Sequence, residues 1–60
     1  MTERHIKQIE AQIPSGESID RMYKAYEGDI RVITKDRSGN EYRYTVKYNA
    51  ADDSVTVERM

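Results

Sequence analysis

The sequence predicts an α+β domain, two N-terminal helices packed on one face of a three-stranded antiparallel β-meander in ααβββ order, and three observations predict it. Apolar residues recur at helical spacing before Gly28, strict two-residue alternation takes over from Tyr42, and an Asp-Arg-Ser-Gly turn separates two β-branched runs. Sixty residues leave room for one core, so a single domain covering 1–60 is expected.

The first helix is expected over about 2–13. Ile6, Ile9 and Ile13 form its i, i+3, i+7 stripe, Thr2 is placed to cap the first turn, and Glu3 complements the positive end of the helix dipole. Pro14 disfavours helical geometry at Ile13 and should stop the helix there. A second helix is expected over about 16–27, where Ile19, Met22, Tyr23 and Tyr26 repeat at i, i+3, i+4, i+7 and Gly28 follows as a left-handed terminator.

Three strands follow, over about 30–35, 41–48 and 54–59. The first two are β-branched and aromatic, and Asp36-Arg37-Ser38-Gly39 joins them as a hairpin turn; Asn49 to Ser54 is a polar loop leading to the third. Period two puts Ile30, Val32, Tyr42, Tyr44, Val46, Tyr48, Val55 and Val57 on one face, expected beneath the helices. The other face collects Arg31, Ile33, Lys35, Glu41, Arg43, Thr45, Lys47, Thr56 and Glu58, and two short helices cannot cover it as well.

Composition narrows the functional classes. The chain has no Leu, Phe, Trp or Cys and takes its apolar character from six Ile, four Val, three Met, four Ala and five Tyr. Without cysteine there is neither a disulfide framework nor a thiolate metal site. The isoleucines near the N-terminus are separated by polar residues, which matches neither a signal peptide nor a membrane span, so a cytoplasmic location is the expectation. Net charge is −1, with four basic against five acidic residues in 1–28 and six against six in 29–60. Global charge therefore points to no partner.

The residues that stand out are Arg31, Lys35, Arg43 and Lys47 around Ile33 on the open sheet face. Clustered cations of this kind can follow a phosphate backbone, and equally can keep an exposed sheet soluble. The tyrosines at 42, 44 and 48 lie on the opposite parity, so base stacking and charge would not share a face, and these rings are expected in or beside the core. His5 is the only histidine and is expected at the surface. Asp36, Ser38 and Asn40 alternate as calcium ligands might, but glycine stands at the fourth position of such a loop and Lys47 at the twelfth, where a bidentate Glu is needed. The four serines fall in turns or caps, and sixty residues leave little room for a water-excluding cleft.

These readings lead to the expectation of a small non-enzymatic protein-binding module of inhibitor or adaptor type, with no metal, cofactor, membrane or small-molecule substrate. Its partner is another protein or a second copy of the chain, met through Arg31, Ile33, Lys35, Arg43 and Lys47. Nucleic-acid binding through that same basic face is the alternative. The strand edges at 30–35 and 55–58 offer a further place for a partner strand.

Overall fold

The computed structural model describes residues 2–60. The class is α+β, but with one helix and four strands in place of two and three: α1 Glu3–Gln12, β1 Glu17–Lys24, β2 Ile30–Asp36, β3 Glu41–Asn49 and β4 Ser54–Arg59. The strands form one antiparallel sheet in the order β1-β2-β3-β4, each paired with its neighbour in sequence.

Helix α1 begins with a reciprocal cap. The Thr2 side chain accepts from the His5 backbone N–H, and the His5 ring accepts from the Thr2 backbone N–H, each at 3.4 Å. Ile13 turns to extended geometry (φ −78°, ψ 133°) ahead of Pro14 and ends the helix where expected. The buried stripe differs from the expected one. His5 and Ile9 are buried and Ile13 is partly buried, an i, i+4, i+8 row, whereas Ile6 lies on the helix flank, exposed.

The segment expected as a second helix is the edge strand β1. The helical spacing of Ile19 and Met22 has another cause. β1 pairs with β2 as Ile19↔Thr34, Arg21↔Ile33 and Met22↔Val32, so Asp20 is an extra residue in the ladder, a β-bulge. One inserted residue puts Ile19 and Met22, three apart, on the same sheet face, which is the spacing that a helix also produces. Gly28 does adopt positive φ, at 100°, but in a hairpin turn: Gly28 N–H donates to the Ala25 carbonyl at 2.9 Å and Ala25 N–H to the Asp29 carbonyl at 2.7 Å. Asp36 to Asn40 repeats this pattern with Gly39 at φ 86°, reinforced by the Asp36 carboxylate, which accepts from the backbone N–H groups of Ser38 and Asn40 at 2.9 and 3.0 Å.

The core is one layer between α1 and the sheet. Ile9, Val32, Tyr44, Val46 and Val55 form its buried cluster, with Ile13, Ile19, Met22, Ile30, Tyr42 and Val57 packed around them. The expected strand parity therefore stands for β2, β3 and β4. Glu17 adds a partly buried polar strap across three strands: one carboxylate oxygen accepts from the Thr34 and Tyr44 hydroxyls, each at 2.6 Å. Those two hydrogen bonds hold the Glu17 carboxyl below the ordinary carboxylate range.

A helix about 10 Å wide covers only about two strands spaced about 4.8 Å apart. Here α1 packs chiefly on β4, so the β1 side of the apolar face is only partly covered. No helix among the described residues is long and apolar enough to cross a membrane.

Candidate functional site

Arg31, Ile33, Lys35, Arg43 and Lys47 all lie on the sheet face away from α1. Their register partners establish this, since Arg31 stands opposite Thr45, Ile33 opposite Arg43, Lys35 opposite Glu41 and Lys47 opposite Thr56, none on the Val32–Tyr44 side. The structure gives the face more acid than the sequence reading placed there. Lys35 lies 3.9 Å from Asp20, Lys47 3.5 Å from Glu58, and Arg31 3.5 Å from Glu27 and 3.9 Å from Asp29. Arg21, a cation assigned to a helix in the sequence reading, is 3.3 Å from Asp20 and 3.1 Å from Glu41. Asp20, Glu27 and Asp29 reach this face because the second helix is really the β1–β2 hairpin.

Among the described residues Arg43 is the one cation of the expected set that has no acid within 4 Å, and it is exposed. Ile33 is 6% exposed and sits between Arg21 and Arg43 in register, too covered to offer a partner much surface. The Arg31 guanidinium donates to the Thr45 hydroxyl at 2.6 Å and is largely engaged within the sheet. Apart from Arg43, the cations named on this face are paired with acids.

The two sheet edges differ more sharply than the two faces. At β4, side chains of α1 occupy the outward backbone groups. Val55 N–H donates to Gln8 Oε1 at 3.0 Å, Val57 N–H to Gln12 Oε1 at 2.9 Å, and Gln12 Nε2 donates to the Val55 carbonyl at 2.9 Å. Gln8 and Gln12 stand one turn apart, so their amides meet alternate residues of the strand and substitute for a fifth one. No role was expected of these glutamines, and the edge expected at 30–35 is in fact interior, between β1 and β3.

At β1 nothing comparable exists. Among the described residues no side chain hydrogen-bonds to the backbone of Glu17–Lys24. Ile19 and Met22 are partly buried on its α1-side face, Tyr23 is about half exposed, and Tyr26 is fully exposed at the tip of the hairpin. The expectation that Tyr23 and Tyr26 line a helix stripe is corrected accordingly.

His5 departs from expectation as well, being 7% exposed. Its Nδ1 accepts from Thr2 N–H, so Nε2 carries the proton and donates to Asp53 Oδ1 at 3.1 Å. Tyr48 donates to the same Asp53 oxygen at 2.7 Å and meets the His5 ring edge-on at 5.6 Å. The Tyr48 hydrogen bond first, then those of His5 and the Arg4 charge, hold the Asp53 carboxyl below its ordinary value. An Asp–His pair invites a catalytic reading, but both imidazole nitrogens are engaged in holding the helix start to the β3–β4 turn, and Ser54 bonds to Asp52 instead. A groove of about 430 Å³ beside it, lined by His5, Ile30, Val46, Tyr48 and Val55, is mainly apolar. Among the described residues no three His, Asp or Glu side chains converge as metal ligands would.

Comparison of the chain with protein-family models, with curated proteins and with solved structures finds no significant match.

Proposed function

We propose that the chain is a small non-enzymatic binding module for other polypeptides, and that it docks them on the free edge of β1. The observation that carries this reading is the asymmetry of the sheet: Gln8 and Gln12 bond to Val55 and Val57 on the outer side of β4, whereas β1, eight residues long, has among the described residues neither a strand nor a side chain bonded along its outer side, beside a partly covered apolar strip. An added strand would gain main-chain hydrogen bonds, and its alternate side chains would meet Glu17, Ile19, Met22 and Lys24 on the α1 side. Such a ligand carries a base opposite Glu17, two apolar residues opposite Ile19 and Met22, and an acid opposite Lys24. Exposed Tyr23 and Tyr26 supply the aromatic surface that interface centres favour.

Arg31, Ile33, Lys35, Arg43 and Lys47 have less support as the contact surface, because Ile33 is covered and three of the four cations have an acid within 4 Å. Nucleic-acid binding loses support for the same reason, since paired cations release few counterions on meeting phosphates.

Proteins captured by the chain, purified and measured again by titration, should lose binding on Met22→Lys and keep it when Arg31, Arg43 and Lys47 are all changed to alanine. The reverse pattern moves the site to the open face. Tight, salt-dependent binding of labelled oligonucleotides would replace the reading altogether.

A further inference from the structure

The strand that β1 calls for is β1 itself. We infer that two copies of the chain pair through β1 about a two-fold axis, antiparallel, to form one continuous eight-stranded sheet; this rests on the reading of β1 as the docking edge.

β1 is complementary to itself. Let the residue numbers of opposed positions sum to 41. Glu17 then faces Lys24 of the second copy, Ser18 faces Tyr23, Ile19 faces Met22 and Asp20 faces Arg21, and each pair recurs on the other side of the axis. Both charge pairs are of opposite sign and the apolar residues meet each other.

The bulge makes this register possible. Residues opposed across antiparallel strands share a sheet face, and a two-fold axis perpendicular to a sheet keeps each residue on its own face. In a regular strand Ile19 and Met22 lie on opposite faces, so this pairing could not form. With Asp20 inserted, Glu17, Ile19, Met22 and Lys24 share the α1 side, opposite Asp36, Thr34, Val32 and Ile30 of β2. Ser18, Arg21 and Tyr23 share the other side, opposite Lys35, Ile33 and Arg31, and the Asp20 carboxylate joins them there, 3.3 Å from Arg21 and 3.9 Å from Lys35. All eight residues then meet a partner on the correct face, and shifting the register by one or two residues in either direction breaks this agreement. The Asp20–Arg21 doublet straddles the axis, and Ile19 and Met22 from both copies form a four-residue apolar strip across it.

The native chain has no cysteine, so the register can be read by cross-linking. Ser18→Cys chains are mixed with Tyr23→Cys chains and treated with a short thiol cross-linker, after circular dichroism has shown that both variants fold. The expected product is overwhelmingly the mixed 18–23 species, in place of the half share that random encounter gives. Sedimentation of the wild-type chain should show twice the monomer mass, and Lys24→Glu, which sets an acid against Glu17 of the second copy, should weaken association about tenfold through its two symmetry-related pairs. A wild-type chain that stays monomeric at submillimolar concentration overturns the inference, and so does a dimer giving 18–18 and 23–23 products as readily as 18–23. A monomer that still binds a foreign strand in a Met22-dependent way would sink the dimer alone and leave the docking edge standing.

Discussion

Removing the glutamine seal from β4 gives the most direct measure of what α1 does for the sheet. In the double variant Gln8→Ala/Gln12→Ala the three hydrogen bonds from α1 to β4 disappear, to Val55 N–H, the Val55 carbonyl and Val57 N–H, together with an exposed one within the helix, from Gln12 Nε2 to the Gln8 carbonyl, which water replaces. A neutral hydrogen bond contributes about 0.5–1.5 kcal/mol net, and water can replace the partner at exposed Val57 N–H, so the loss from the three is about 2–3 kcal/mol. Alanine's better helix propensity offsets a few tenths of a kcal/mol at each position. The net destabilisation is then about 2 kcal/mol, against a total of about 3–9 kcal/mol for a chain of this length. At about 4–8 °C per kcal/mol for a domain this small, the melting temperature falls by about 8–16 °C. Urea unfolding followed by far-ultraviolet circular dichroism measures the free energy, and an unchanged urea slope shows that the native state keeps its compactness. A loss below about 0.5 kcal/mol, the range of an ordinary surface substitution, would refute the idea that these amides stand in for a strand.

Ile9→Ala empties the one fully buried helix position and should cost about 2–5 kcal/mol, enough to leave much of the protein unfolded at 37 °C; a melting curve near that of the wild type would show that α1 is dispensable. Gly39→Ala forces a Cβ into φ 86° and should cost about 1–2 kcal/mol, read as a lower urea midpoint. Acid should unfold the protein through Glu17, Asp36 and Asp53, whose native carboxyls all titrate below their ordinary values of 4.5, 3.8 and 3.8. Groups depressed in this way contribute stability that is complete above those ordinary values and is lost as pH falls through the lowered native ones, so unfolding free energy should be level above about pH 5 and drop below about pH 4. In Tyr48→Phe the Asp53 carboxyl loses its main hydrogen-bond donor and should titrate closer to an ordinary aspartate, as followed by carboxyl carbon NMR.

Much of the fold is legible in the residues, and the failures have specific causes. Alternation from Tyr42 to Tyr48 and at Val55 and Val57 assigns the inward and outward sides correctly, because period two admits one register when one face is buried. Thr2 and Pro14 mark the ends of α1 through local backbone chemistry alone. Residues 17–24 are misread because a bulge adds one residue to a period of two and so mimics a helical step at Ile19 and Met22. A better signal was present: Ala25 to Asp29 matches the spacing of the Asp36 to Asn40 turn, with glycine fourth in both. The clustering of Arg31, Ile33, Lys35, Arg43 and Lys47 on one side follows from parity, but the pairing of Arg31 and Lys35 with acids does not, since it depends on Asp20, Glu27 and Asp29 arriving from the β1–β2 hairpin in place of a helix. The roles of Gln8 and Gln12 are invisible until α1 is known to lie along β4, and His5 becomes a buried clasp only through the distant Asp53.

The glutamine seal also sets a limit on growth. A ribbon with two sticky rims invites copy after copy to stack side by side, the geometry from which fibrils arise. Here the middle of one rim is already occupied from within the molecule, so growth from that side is disfavoured, and the same two amides that steady a small fold also work against polymerisation.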